Sequence, residues 1–129
     1  MLVLDTHVLI WMLGDSAKIS ANAHRAIQDA RRNGVIAIAD ISLWELAWVA
    51  ENRRIRISGT VEGFIREATA RLVVKPATPE IAALAARLPA PYPRDPMDRL
   101  IGATAVVEGA YLVTADQRIR DSQVVPTLW

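Results

Sequence analysis

The sequence predicts an α/β fold: a central, mainly parallel sheet of four to five strands with helices on both faces. Short, uninterrupted apolar runs recur at Leu2-Val3-Leu4, Val35-Ile36-Ala37-Ile38, Leu72-Val73-Val74 and Tyr111-Leu112-Val113-Thr114, as expected of strands covered on both sides. Between them lie segments with helical spacing and cap signals, long enough to be the crossovers that parallel strands require. The chain has 129 residues, 52% of them hydrophobic. A chain of this length buries about two-thirds of the surface it exposes when unfolded, enough for one core, so residues 1–129 are expected to form a single domain.

The elements follow in order. Val3-Leu4 forms the core of the first strand, and a helix starts near Thr6. Ser20 caps the next helix, whose apolar stripe is Ala23, Ala26, Ile27 and Ala30, while Arg25, Asp29, Arg31 and Arg32 face water; Asn33-Gly34 ends it. After the second strand, Ser42 is expected to cap a helix through Trp44, Leu46, Ala47, Trp48 and Val49. Another helix spans about Val61 to Ala70. Thr78-Pro79 supplies an N-cap and a first-turn proline for the helix through Ile81, Leu84, Ala85 and Leu88. Pro89, Pro91, Pro93 and Pro96 stiffen the following loop. A helix from Pro96 to Glu108 is stopped by Gly109, and a last short strand is expected around Val124-Val125.

Composition narrows the function. With 22% charged residues, a mean hydropathy of +0.19 and no long apolar run, the chain fits neither disorder nor a membrane span, and no membrane partner is expected. Met1-Leu2-Val3-Leu4 meets Asp5 without the basic and apolar regions of a secretory signal, so the expected location is the cytoplasm. The absence of cysteine excludes disulfides and thiolate metal sites, leaving oxygen or imidazole as ligands. A net charge of +1 excludes a protein that coats nucleic acid by bulk charge. All the basic residues except Lys18 and Lys75 are arginine, which fits either phosphate recognition or a GC-rich genome. The one tight basic cluster, Asn52-Arg53-Arg54-Ile55-Arg56, is either a phosphate contact or the solvated end of a helix.

Four carboxylates stand where a parallel sheet would gather them: Asp5, Glu45, Asp98 and Asp116. Each ends an apolar run or opens a helical one, and in open α/β sheets the carboxyl ends of strands and the starts of the next helices share one edge. Each also has a local explanation. Ser42-Leu43-Trp44-Glu45 reads as a capping box, Asp95-Pro96-Met97-Asp98 as a similar cap, and Asp116 and Asp5 as caps of the turns they precede. Together they point further, because several carboxylates beside apolar surface repel one another unless a cation neutralises them. Mg²⁺ and Mn²⁺ prefer carboxylate and water oxygens, and such sites suit phosphodiester hydrolysis. His7 and His24 form no H-x-x-x-H pair and read as packing or surface residues. With no Walker A loop and no G-x-G-x-x-G, no nucleotide cofactor is expected; a G-x-S-x-G elbow is absent too.

Leu4-Asp5-Thr6-His7, Ile41-Ser42-Leu43-Trp44-Glu45-Leu46, Asp95-Pro96-Met97-Asp98-Arg99-Leu100-Ile101 and Leu112-Val113-Thr114-Ala115-Asp116 resemble, in order and spacing, the four motifs of PIN-domain ribonucleases, and most closely the VapC toxins of bacterial toxin–antitoxin pairs. The resemblance covers essentially the whole chain. It implies a three-layer α/β/α sandwich, Mg²⁺- or Mn²⁺-dependent endonuclease activity on RNA, a homodimer, and neutralisation by a VapB-like antitoxin. By matching position, Asp5, Glu45, Asp98 and Asp116 form the acidic quartet, with Asp5, Asp98 and Asp116 as metal ligands and Glu45 positioning water or a second ion. Thr6, Ser42 and Thr114 would orient the acids or bind phosphate, and Arg99 would reach phosphate or pair with an acid. One departure is that Trp48-Val49-Ala50 is apolar where many relatives carry a basic residue. The alternatives are an RNA-processing PIN nuclease without an antitoxin and a non-catalytic RNA-binding or interaction module. A phosphoacceptor domain would need paired acids after the first strand and a lysine after the last, and neither is present. The helices with Trp11, Trp44 and Trp48 are apolar almost all round, so their rings either pack in the core or meet a second chain.

Overall fold

Alternation along three-residue strands places the two halves of the core. In the computed structural model, which describes residues 1–129, β1 (Leu2–Leu4) sends Leu2 and Leu4 to one face of the sheet and Val3 to the other. β2 (Ile36–Ala39) divides in the same way, Ile36 and Ile38 against Ala37 and Ala39, and β4 (Tyr111–Val113) sends Leu112 and Val113 to opposite faces. With β3 (Val73–Lys75) and β5 (Thr127–Leu128) they form a five-stranded, wholly parallel sheet in the order β3-β2-β1-β4-β5.

Helices cover both faces. On one, α1 (Thr6–Gly14), α2 (Ala21–Asn33), α3 (Ile41–Glu51) and α4 (Val61–Thr69) enclose Leu4, Val8, Ile27, Ile38 and Leu46. On the other, α6 (Pro96–Val107) and α7 (Gln117–Ser122) enclose Val3, Ile101, Ala105, Leu112 and Ile119, and α5 (Pro79–Arg87) packs on α6 through Ile81 and Ala85. The ends are set by local chemistry. Ser20, Thr60 and Thr78 accept hydrogen bonds from the amides of Ala23, Gly63 and Ile81, and Pro79 opens α5. Gly109, at φ +62°, makes the left-handed turn from α6 into β4.

Two expectations are corrected. The last strand is Thr127–Leu128 rather than Val124-Val125, because Val125 is buried in the core and the Leu112 amide donates to the Pro126 carbonyl. Ser42 is not an N-cap. The helix begins at Ile41 after Asp40, so Ser42 lies inside its first turn and the Ser42–Glu45 capping box does not form. Asp40 instead accepts the Ala77 amide at 2.9 Å, tying this turn to the loop after β3. The strand order changes direction at β1, between β2 and β4, which opens a crevice at the carboxyl ends of β1 and β4.

Candidate active site

Asp5 is the first residue beyond β1, at the centre of the sheet, and is only 5% exposed. One carboxylate oxygen accepts the Thr6 amide at 2.8 Å, capping α1, and the other accepts the Thr114 hydroxyl at 2.7 Å from the end of β4. The neighbouring strand thus orients an acid that also starts a helix. Asp116 caps α7 by accepting the amides of Arg118 and Ile119, and Asp95 caps α6 by accepting those of Met97 and Asp98. The local and the collective readings of these acids therefore coexist in the same side chains.

Glu45 extends from α3 toward the same edge, where it accepts the Thr6 hydroxyl at 2.5 Å. The Thr6 oxygen is also 2.9 Å from the Ser42 hydroxyl. Thr6 has a single hydroxyl proton, so with that proton on Glu45 the Ser42 hydroxyl donates to Thr6, forming a chain Ser42, Thr6, Glu45. Burial pushes the Glu45 carboxyl above the usual carboxylate range, with the charges of Asp5 and Asp95 adding to it against the hydrogen bond from Thr6.

Asp98 carries the strongest perturbation. Burial, then the charges of Asp5, Asp95 and Asp116, push its carboxyl up to about 7, with Arg118 acting in the opposite direction. Its carboxylate has no closer cation than the Arg118 guanidinium at 3.8 Å. Arg118 binds Asp116 more tightly, at 2.9 Å. Burial alone would raise Asp116, but the hydrogen bonds from the Arg118 side chain and amide outweigh it and hold the carboxyl below its usual range. The fold thus gathers the whole predicted quartet, Asp5, Glu45, Asp98 and Asp116, at one edge, with Asp95 beside it.

Among the flanking residues, Thr6, Ser42 and Thr114 are buried and hydrogen-bonded to the acids or to one another, the arrangement expected of residues that orient the carboxylates, whereas Arg99 departs from expectation. Arg99 pairs with no acid. Its guanidinium points away from the edge and donates to the carbonyls of Ala85, Ala86, Leu88 and Pro93, clamping the end of α5 and the proline loop to the start of α6. Beside this clamp the buried Tyr92 hydroxyl donates to the Asp98 carbonyl at 2.6 Å. The ring lies so close to Gly102 that a Cβ there would come within 2.2 Å of the hydroxyl oxygen.

Two residues at this edge were not predicted from the sequence. His7 accepts the Ala115 amide on Nε2 at 3.1 Å, which leaves its proton on Nδ1, 3.5 Å from Asp5. Its position two residues after Asp5, in the first turn of α1, was the available signal. Arg118 stands in the same relation to Asp116, two residues on.

The PIN domain family model matches residues 2–123. Ribonuclease VapC22 of Mycobacterium tuberculosis (strain ATCC 25618 / H37Rv) is 40% identical over 118 residues, which cover 92% of this chain and 88% of the relative. Two solved structures share the fold at lower identity. VapBC2 from Rickettsia felis, bound to a DNA fragment from its promoter, matches with a TM-score of 0.74 and 17% identity, over 98% of this chain and 96% of that one. DNA-bound VapBC from Salmonella typhimurium matches with a TM-score of 0.73 and 18% identity, over 98% and 95%. With its acids in place at the carboxyl edge of a five-stranded parallel sheet, the chain belongs to the PIN-domain family and, within it, to the VapC-type proteins.

Proposed function

We propose that residues 1–129 act as a single PIN domain with Mg²⁺- or Mn²⁺-dependent endoribonuclease activity, a VapC-type toxin that a VapB-like antitoxin neutralises. The observation that carries this reading is the charge imbalance around Asp98, a half-buried carboxyl pushed up to about 7 by burial and by Asp5, Asp95 and Asp116. A divalent cation relieves that imbalance, and the donors on offer, carboxylate oxygens with no thiolate, match Mg²⁺ or Mn²⁺. No three His, Asp or Glu side chains converge closely enough to enclose an ion by themselves. The site therefore fits an ion that takes one or two carboxylates directly and keeps water in the rest of its shell.

Asp5, Asp98 and Asp116 would hold the ion, directly or through water. When bound, it would neutralise charge on the scissile phosphate and lower the pKa of the attacking water. The chain's own groups do the rest. Thr114 and the Thr6 amide fix both oxygens of Asp5, and His7 ties Asp5 to the Ala115 turn that carries Asp116. Glu45, held by Thr6 and with raised proton affinity, positions the water and accepts its proton, as suits a base working nearer neutral pH. Arg118, largely exposed beside Asp98 and Asp116, offsets their charge until the ion and the RNA phosphate arrive.

The relative's name, Ribonuclease VapC22, supports RNA as substrate, and the VapBC assemblies that share the fold support an antitoxin partner. Trp44 and Trp48 on α3 are 53% and 42% exposed, and a second subunit covering them gives the homodimer. Replacing both with Gln is expected to convert a dimer to a monomer in sedimentation, with the fold retained. The reading as a whole is tested by inducing the wild type and Asp5→Asn in a bacterial host and sequencing total RNA for new 5′ ends. Growth arrest with discrete cuts in the wild type alone is expected. Equal cutting by both chains would remove Asp5 from the mechanism.

A further inference from the structure

Beside the acids, a groove of about 540 Å³ runs between α1 and the segment linking α3 to α4. Its walls mix aromatic rings with cations: His7, Trp11 and Phe64 with Lys18, Arg54 and Arg56. Asp15 is the only acid in its lining, and it is paired with Lys18 at 3.4 Å. Neither Arg54 nor Arg56 is paired with a carboxylate, so the groove carries two uncompensated positive charges; Arg54 rests 5.5 Å from the Trp48 ring. His7 joins the groove to the acidic edge, since the ring that lines the groove also faces Asp5 at 3.5 Å and meets the Trp11 ring edge-on at 4.8 Å. A larger groove of about 700 Å³, lined by Leu9, Met12, Leu72 and others, shares no residue with the acidic edge, and its two arginines, Arg31 and Arg71, stand with one acid, Glu67.

We infer that the His7–Arg56 groove seats a nucleotide of single-stranded RNA next to the scissile phosphate, with Arg54 and Arg56 on backbone phosphates and the base against the Trp11 and His7 rings. This rests on the ribonuclease reading and adds where the strand leaves the acids. Polyanion chemistry fits the groove because single-stranded nucleic acid is held by unpaired cations along the backbone and by sequence-tolerant stacking on aromatic rings. The basic cluster at 53–56 thereby supplies the phosphate contact that the apolar Trp48-Val49-Ala50 turn does not.

Binding of a fluorescein-labelled single-stranded oligouridine of about twelve nucleotides to Asp98→Asn protein, followed by anisotropy across a salt series, tests the inference without cleavage. Two lost phosphate contacts should lower the slope of log K against log salt by about 1.4 in Arg54→Ala/Arg56→Ala, equivalent to roughly a tenfold rise in Kd near physiological salt. Arg31→Ala/Arg71→Ala, in the larger groove, should change neither. Trp11→Leu should weaken binding about fivefold or more with the slope kept; if it does not fold, the arginine pair decides alone. Unchanged affinity and slope in Arg54→Ala/Arg56→Ala would overturn the inference while leaving the ribonuclease reading intact. Loss of antitoxin capture by that variant with RNA binding unaltered would also overturn it, assigning the groove to a protein partner. If Asp98→Asn protein binds no RNA and the wild type cuts none, both readings fail together.

Discussion

Removing the charge of Asp98 should make the metal-free protein more stable, in a way that depends on pH. The fold raises this carboxyl from 3.8 to about 7. Between those values the folded chain binds more protons than the unfolded chain, so stability falls as pH rises through that window and levels off above it. At about 1.36 kcal/mol per unit, the penalty is roughly 4 kcal/mol near pH 8 and about 1.6 kcal/mol near pH 5, where only the first part of the window has been crossed. The side chain is 22% exposed, so solvent screens little of this. Asp98→Asn abolishes the titration and loses an acid from the first turn of α6, worth ~0.3–1 kcal/mol. The net expectation is a gain of about 3 kcal/mol near pH 8 and about 1 kcal/mol near pH 5. For a domain of this size that corresponds to roughly 10 °C and 3 °C in Tm. The assay is calorimetry of both chains in excess chelator at several pH values. Adding Mn²⁺ should then raise the Tm of the wild type and leave that of Asp98→Asn nearly unmoved. An Asp98→Asn protein that is less stable than the wild type near pH 8, or an advantage that does not shrink on acidification, would refute the account of charge convergence.

Cleavage by the wild type should stop in excess chelator and return with added Mg²⁺ or Mn²⁺; full activity in chelator would rule out the metal mechanism. Its rate at sub-saturating metal should rise with pH up to about 7, as Asp98 loses its proton and the ion binds, and then flatten. Arg99→Lys should cost about 2–4 kcal/mol in denaturant unfolding, because one ammonium cannot span four carbonyls and several buried acceptors lose their donor. If it is no less stable than the wild type, the clamp is not structural. Gly102→Ala should destabilise by about 1–3 kcal/mol, since its methyl displaces the Tyr92 ring. It should also slow cleavage, because Tyr92 holds the Asp98 carbonyl; a neutral effect on both would show that the ring has room to move.

The sheet was legible because its strands are short apolar runs bounded by polar residues, and the helix starts at Ser20, Thr78 and Asp95 because a cap and its amide lie within one turn of sequence. Failures came where a side chain's partner is remote in sequence. Ser42 and Glu45 carry the pattern of a capping box, yet the Thr6 hydroxyl, 36 and 39 positions away, takes both side chains. Arg99 sits next to Asp98 in the chain, but the helical turn directs it to the carbonyls that end α5. His7 looked ordinary because its role depends on the Ala115 amide, 108 residues away. At the end of the chain, a valine pair has the composition of a strand, but burial of Val125 does not require pairing, and the ladder is taken up by Thr127–Leu128.

The acids of this edge divide according to whether a helix start satisfies them. Asp5, Asp95 and Asp116 each accept amide protons at the helix they cap, so their geometry is fixed by the backbone before any ligand arrives. Asp98, three residues past a cap rather than at one, receives no hydrogen bond on its carboxylate and has only Arg118 at 3.8 Å. It is therefore the side chain on which the convergence of the others falls. The chain needs caps where strands turn into helices, and in a parallel sheet those turns share one edge. Fold-making acids thus create, at the least satisfied member of the group, an excess of negative charge that a divalent ion and the phosphate it brings can resolve. On this view Asp116→Asn or Asp95→Asn should lower the proton affinity of Asp98 while leaving the starts of α7 and α6 capped, since Asn accepts the same amides about as well as Asp. NMR titration of the Asp98 carboxyl in those variants measures the coupling directly, and an unchanged titration would mean that burial alone holds the proton on Asp98.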